Sequence, residues 1–248
     1  MFICVHSAKY NFICEVLSLI GLVNTIALNH GVIDMTIKKY METEKTNIIS
    51  NVICCLTDDG QHIAHLDETI FHPQGGGQPS DIGYIGSAQV YKVKEKDGVI
   101  EHYISEPVDV GPAQTIVNKE LRELHSKLHS IGHLIGNIGE GFGWRPNKAH
   151  HWPKECRVEF ARCENAIEVN NDDFSTEYKN LIDSCAGTVV KKDPHGQRHV
   201  SFGSLKAWPC GGTHVLSLEE LPNDIEISVK YKKQKMVVRY DIKSSDRV

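Results

Sequence analysis

Four side chains in the sequence have the types and spacing of a metal site. His129 and His133 lie four residues apart in "KLHSIGHLIG", a spacing that places both imidazoles on one face of a helix. Cys210 and His214 are also four residues apart, in the Gly-containing turn of "WPCGGTHV". One thiolate and three imidazoles can close a tetrahedral zinc site, with a Zn–S bond of about 2.3 Å and Zn–N bonds of about 2.0 to 2.1 Å. Because two half-sites on separate elements seldom coincide by chance, we expect these residues to bind one Zn²⁺ per chain.

The spacing excludes several familiar zinc sites. A zincin needs a Glu directly after its first histidine as general base, and this position is Ser130. A zinc deaminase needs a second cysteine after its Pro-Cys pair, and "PCGGTH" has none. Zinc fingers need a pair of cysteines, which is also missing. The residues leave a hydrolytic or structural zinc site of another type.

The elements that carry these side chains are predicted by apolar periodicity. Apolar residues from Leu121 to Ile138 recur at alternating steps of three and four, which is typical of an amphipathic helix, and Gly139, Gly141 and Gly143 are predicted to end it. A second helix is predicted over 172–186. Strands are predicted at "GTVVKK", "IEISVKY" and "KMVVRYDI", the last two as a hairpin.

The preceding part of the chain has a β-like pattern. "NIISNVICCL" is rich in β-branched residues, and "AQVYKVKEKDGVIEHYI" contains two strand-like runs joined at Asp97-Gly98, a strong hairpin signal. Between them lies the Gly- and Pro-rich loop "DETIFHPQGGGQPSDIG". We therefore expect an α+β protein, with a β-rich, barrel-like domain over 35–115 followed by an α+β zinc-binding domain over 116–248.

Composition sets broader limits. The 248 residues are 40% apolar and 24% charged, with a formal net charge of −5, so RNA binding would need a local basic patch. The eight scattered cysteines indicate a reducing, cytoplasmic location. Residues 1–34 contain an apolar stretch over 11–28 that Glu15 and Asn24 interrupt, so we expect no membrane attachment. We interpret them as a helical appendage, or as a translated upstream stretch with the working start at Met35.

Three motifs together resemble a known family. "LDETIFHPQGGGQPSDIG", "HSIGHLI" and "PCGGTH" occur in the order found in the editing domain of alanyl-tRNA synthetases and in its free-standing AlaX-like relatives. The resemblance runs from about Met35 to the C-terminus and lacks an aminoacylation domain, which favours the free-standing form. It implies a zinc-dependent aminoacyl-tRNA deacylase that removes a wrong amino acid, usually serine or glycine, from alanine tRNA.

The resemblance also implies roles for single residues. His129, His133, Cys210 and His214 are the implied zinc ligands, and His125, one turn earlier, is interpreted as an ordinary helix-face histidine. Gln78, at the end of "GGGQ", is the implied catalytic residue of the editing pocket. The implied substrate-binding residues are Gly77, Lys148, Glu159 and Thr213. A threonine that contacts serine in other members has no clear equivalent, so the preference between serine and glycine stays open.

Several alternatives remain at this point. Four protein ligands leave zinc no free position, so the ion could be catalytic or structural. A non-catalytic, zinc-stabilised tRNA-binding module is the alternative function, and the threonyl-tRNA synthetase editing fold is the alternative family, although "CGGTH" fits the alanyl branch better. A basic patch could be a solvated hairpin or could bind phosphates of the tRNA acceptor stem; it comprises Lys230, Lys232, Lys233, Lys235, Arg239 and Lys243. Nothing in the residues predicts the oligomeric state.

Overall fold

A computed structural model describes residues 35–243 of the chain, and the predicted appendage over 1–34 lies outside the described residues. In the first half, from residue 35 to residue 118, the regular structure is strand, apart from one turn of 3-10 helix at Lys39–Met41. In chain order its strands are β1 (Ile37–Lys38), β2 (Asn47–Asp58), β3 (Gln61–Leu66), β4 (Glu68–Thr69), β5 (Gly83–Ile85), β6 (Ala88–Lys96), β7 (Val99–Ile104) and β8 (Gly111–Val117).

Six of these strands close into a barrel in the order β2-β3-β7-β6-β5-β8, with every pairing antiparallel. In β6 the buried Ala88 and Val90 alternate with exposed neighbours, and a bulge after Val90 turns Val93 inward. The hairpin predicted at Asp97-Gly98 is confirmed: it joins β6 to β7, and both residues have positive φ, 52° and 82°. The inward side chains of these strands form the first apolar core.

The second half combines two α-helices with two β-sheets. Its elements are α1 (Lys119–Gly141), β9 (Trp144–His150), β10 (Arg157–Arg162), α2 (Asn171–Asp183), β11 (Thr188–Lys192), β12 (Arg198–Phe202), β13 (Trp208–Pro209), β14 (Ile225–Lys232) and β15 (Lys235–Ile242). One sheet has the order β14-β15-β10-β9 and a smaller one the order β11-β12-β13. The apolar faces of α1 and α2 pack with the larger sheet into a second core.

Helix α1 begins and packs as its sequence requires. The side chain of Asn118 accepts a hydrogen bond from the backbone N–H of Leu121, which caps the first turn. Leu128, Ile131 and Ile135 of the predicted stripe are fully buried. Burial of such side chains contributes about 1.5 to 3 kcal/mol each.

The predicted glycine run ends α1, but Gly139 itself lies inside the helix, and α2 ends three residues earlier than predicted. Gly139 lies inside α1, where it is needed because a Cβ there would come within 2.2 Å of the Phe160 ring on β10. Helix α1 continues to Gly141, and Gly143 takes the following turn with φ 82°. Helix α2 ends at Asp183. Cys185, which the predicted range 172–186 included, therefore lies after the helix and is exposed.

The α+β class is confirmed, as is the hairpin of β14 and β15. The division into domains at residue 115 stays a prediction. Among residues 35–243, neither helix combines the length and apolarity that a membrane crossing requires.

Candidate metal centre

Two elements bring the predicted ligands together. Helix α1 presents His129 and His133 one turn apart, and the turn after β13 presents Cys210 and His214. The four ligand atoms all lie within 4.8 Å of one another. Cys210 Sγ is 3.4 Å from His129 Nε2 and 3.6 Å from His214 Nε2, and the Nε2 atoms of His214 and His133 are 3.3 Å apart.

These distances fit the edges of a tetrahedron around a zinc ion. Bonds of about 2.05 Å to nitrogen and 2.3 Å to sulfur, at tetrahedral angles, give edges of about 3.3 Å between nitrogens and about 3.6 Å between nitrogen and sulfur. Three of the six separations between ligand atoms are 3.3, 3.4 and 3.6 Å, and all six lie within 4.8 Å. The donor set therefore has the size and the ligand chemistry that a zinc ion requires.

The electrostatics of the cluster keep its nitrogens available for a cation. Burial holds the pKa of His129 and of His214 well below the usual range, and neighbouring histidines add to the effect. Burial also lowers the pKa of His133 to about 4. The imidazoles are therefore neutral, with lone pairs close together. Burial raises the pKa of the Cys210 thiol, and a bound cation would reverse that effect.

The Gly-rich loop reaches His129 from the barrel. Gln78 Oε1 accepts a hydrogen bond from His129 Nδ1 at 2.7 Å and another from the backbone N–H of Thr213 at 3.1 Å. Gln78 Nε2 donates to Thr213 Oγ1 at 2.9 Å, and Ser126 Oγ donates to the same hydroxyl at 2.8 Å. Both Gln78 and Thr213 are buried behind His129.

A buried ion pair clamps this loop onto α1. Arg122, two turns before His129, donates to the Asp81 carboxylate from both Nε and Nη2, and Nη2 also donates to the Ile70 carbonyl at 2.6 Å. Asp81 also accepts a bond from the backbone N–H of His72. Both members of the pair are almost fully buried, so loss of either would leave a buried charge, at a cost of about 3 to 5 kcal/mol.

A cavity of about 400 Å³ lies beside the cluster. Its wall includes the ligands His129, His133 and Cys210, and also Lys148 and Trp208. The cavity is within the size range of small-molecule sites, and three of the four candidate metal ligands are on its surface. A group bound in it would lie next to the metal position.

The remaining predicted substrate residues lie in different surroundings. Lys148 is on the cavity wall, and Glu159 is its register partner on β10, where it accepts a long hydrogen bond of 3.4 Å from Arg157 Nε. Gly77 has φ 82°, and its carbonyl accepts a bond from the backbone N–H of His151. Their roles in substrate binding stay predictions.

His151, which the sequence analysis did not single out, also lines the cavity. Its ring stacks on His129 with centroids 4.4 Å apart, and its Nδ1 lies 2.6 Å from the Tyr240 hydroxyl. The Tyr240 hydroxyl donates to the Leu128 carbonyl, so His151 Nδ1 is the donor in the first bond and Nε2 is an acceptor. Burial lowers its pKa to about 3, which keeps the ring neutral. The adjacent pair His150 and His151 at the end of β9 is the feature of the sequence that could have indicated this role.

His125 and the basic patch lie away from the cluster. His125 is buried on α1, outside the group of four ligands. Five members of the patch are exposed on the β14–β15 hairpin, and the sixth, Lys243, pairs with Asp224.

Comparison with known proteins identifies the family of this chain. The chain is 30% identical over 166 residues to the alanyl-tRNA editing protein AlaX-M of Pyrococcus horikoshii, which covers 63% of this chain and 75% of that protein. The chain belongs to the alanyl-tRNA editing protein family. Two longer relatives are the alanyl-tRNA editing protein Aarsd1-A of Xenopus laevis and the alanine–tRNA ligase of Natronomonas pharaonis. They are 26% and 30% identical over 63% and 73% of this chain.

The match to these longer proteins is partial. The chain spans 43% of the Xenopus editing protein and 23% of the ligase. No protein-family model matches the chain. The predicted resemblance to the alanyl-tRNA editing family is therefore confirmed by relatives that span most of the described residues.

Proposed function

We propose that this member of the alanyl-tRNA editing family is a zinc-dependent deacylase that hydrolyses the ester between a wrong amino acid and alanine tRNA. The observation that supports it best is that three of the four clustered ligands form part of the wall of a 400 Å³ cavity. A purely structural metal site does not need a cavity beside it. Serine is the proposed amino acid, and glycine the second.

The cavity residues suit hydrolysis of an activated ester. An aminoacyl ester needs mainly a positioned water and stabilisation of the developing oxyanion. The Nε2 acceptor of His151 orients a water or the substrate amino group from one wall, and the Lys148 ammonium supplies positive charge at another. A bound zinc ion supplies Lewis acidity beside the same space.

The acceptor stem of the tRNA is proposed to lie along the β14–β15 hairpin. This hairpin belongs to the same sheet as the cavity strands β9 and β10, and it carries the exposed residues Lys230, Lys232, Lys233, Lys235 and Arg239. Contacts of this kind bind phosphates and orient the duplex without reading its sequence. Binding should therefore weaken steeply as salt rises.

A second candidate function is a zinc-stabilised tRNA-binding module without catalysis. The observation that favours it is the complete set of four protein ligands, which is typical of structural zinc. It differs from the first proposal in one respect: it predicts tRNA binding with no turnover.

The deciding experiment is deacylation of seryl-, glycyl- and alanyl-tRNA prepared on alanine tRNA. We expect the zinc-loaded wild type to release serine fastest and to leave alanyl-tRNA largely intact, because a site that hydrogen-bonds a hydroxyl can reject the analogue lacking it by about 10⁴ to 10⁵-fold. Lys148→Met should lower the rate, whereas Lys127→Met, a partly exposed lysine of α1, should not. If zinc-loaded wild type binds the tRNA but leaves every ester at its spontaneous rate, the deacylase proposal is wrong and the binding module is the better account.

A further inference from the structure

The hydrogen bonds of Gln78 distinguish its side-chain oxygen Oε1 from its side-chain nitrogen Nε2. The Thr213 backbone N–H can only donate, so the Gln78 atom 3.1 Å from it must be the carbonyl oxygen Oε1. The same oxygen lies 2.7 Å from His129 Nδ1, which must then carry the proton. His129 therefore keeps its lone pair on Nε2, the atom that faces Cys210.

The side-chain amide of Gln78 uses nearly all of its hydrogen-bonding capacity within the protein. Both lone pairs of Oε1 are occupied by His129 and Thr213, and Nε2 donates to the Thr213 hydroxyl. The side chain has no exposed surface. Gly212 closes the remaining side, since a Cβ there would lie 2.7 Å from Oε1 and 2.2 Å from the His129 ring.

The backbone holds this amide in place from both sides. Gln78 and Gly75 exchange two backbone hydrogen bonds, of 2.9 and 3.2 Å, across the Gly-rich turn. Three residues later, Asp81 is bound to Arg122 on the same helix as His129. The position of the Gln78 oxygen is thus fixed relative to the helix that carries the ligand.

We infer that Gln78, together with Thr213, is a positioning residue of the metal centre, which fixes the tautomer and ring orientation of His129 rather than contacting the substrate. Outer partners of this kind hold metal-bound histidines in many sites, and their loss lowers metal affinity by about 10- to 100-fold. The inference depends only on metal binding by the four ligands. It stands or fails independently of deacylation.

The test measures the Zn²⁺ dissociation constant by competition with a chromogenic chelator. Gln78→Ala should bind Zn²⁺ about 10- to 100-fold more weakly than wild type, because His129 Nδ1 loses its acceptor and the ring can turn. Thr213→Val, which keeps the backbone donor but removes the hydroxyl, should weaken it less. Gln78→Glu keeps an acceptor for both His129 and Thr213 and should stay close to wild type.

A matched control separates this effect from a general loss of stability. Thr69→Val removes a buried hydrogen bond to His102 inside the barrel, away from the ligands, and should leave the Zn²⁺ affinity unchanged. The visible spectrum of the Co²⁺-loaded proteins gives a second readout, since a turned His129 alters the tetrahedral field. If Gln78→Ala binds Zn²⁺ as tightly as wild type and shows the same Co²⁺ spectrum, the positioning role is wrong. Should Gln78→Ala fail to fold, Thr213→Val decides, because it removes the hydroxyl that holds the Gln78 amide: weaker Zn²⁺ binding than wild type supports the inference, and wild-type binding with an unchanged Co²⁺ spectrum contradicts it.

Discussion

Buried histidines in the two halves of the protein differ in what their ring nitrogens meet, as His102 and the pair His133 and His214 show. In the barrel, both ring nitrogens of His102 have protein partners, the Thr69 hydroxyl at 2.8 Å and the Ala64 carbonyl at 3.1 Å. In the second half, the Nε2 atoms of His133 and His214 face each other at 3.3 Å. Both ring nitrogens of His102 are hydrogen-bonded within the protein, whereas the Nε2 lone pairs of His133 and His214 point towards a common position.

Burial does not distinguish the two cases. It lowers the pKa of His102 and of His133 alike, to about 4, so both rings are neutral near pH 7. What differs is the direction of the nitrogens and the type of atom they meet. A buried histidine is therefore evidence for a metal only when its lone pair converges with others, as it does beside Cys210.

The largest effect should come from removing a ligand. Cys210→Ser and His214→Ala should each lower Zn²⁺ affinity by more than about 100-fold, because a ligand contributes more than the outer partners whose loss already costs about 10- to 100-fold. Metal analysis of the purified proteins measures this. His102→Gln in the barrel is the counterpart and should retain about one zinc per chain; an equal loss there would remove the contrast between the halves.

The next effect concerns the close approach of the Cys210 turn to α1. Gly212→Ala should weaken Zn²⁺ binding strongly, because the new methyl group would lie within 2.3 Å of two atoms of the His129 ring and force it to move. Gly141→Ala, at the exposed end of α1 with open space around it, is the control and should change nothing. Zinc affinities of both proteins, measured by chelator competition, test this; equal values would mean that the turn moves without disturbing the ligand.

His102 should make the free energy of unfolding depend on pH. The pKa of His102 is about 4 in the folded protein, held there by burial, and about 6.5 when unfolded. Since the unfolded chain binds the proton first, folding loses free energy as pH falls from 6.5 towards 4, by about 2 kcal/mol at pH 5. Urea unfolding of metal-free wild type and His102→Gln at pH 7.5 and 5 measures it. The wild type should lose more stability than the variant, and equal losses would show that His102 does not titrate this way.

The smallest effect is expected at His125. Its side chain is buried on the ligand helix but lies outside the ligand cluster. His125→Ala should therefore keep about one zinc per chain in metal analysis, at the modest cost of a buried cavity. A protein stripped of metal by this change would place the site one turn earlier on α1.

The helices, the two main hairpins and the four ligands could be predicted from the sequence. Periodicity identified α1 because its buried stripe repeats over more than four turns, and Asp97-Gly98 identified a hairpin because that pair accepts positive φ. The ligands were found because each pair lies within one local element. Strands β9 and β10 were not predicted, because β9 is polar without alternation and the alternation of β10, with Val158 and Phe160 buried, extends over only six residues.

The sequence by itself determined which local elements form and which side chains carry ligand chemistry, because both depend on residues only three or four positions apart. Only the tertiary structure decided how those pieces face one another. It placed Gln78 behind His129 rather than in the cavity, brought His151 onto the cavity wall, and joined Asp81 to Arg122. These contacts link residues that are between 22 and 51 positions apart in the chain, a separation over which no local pattern in the sequence constrains distance.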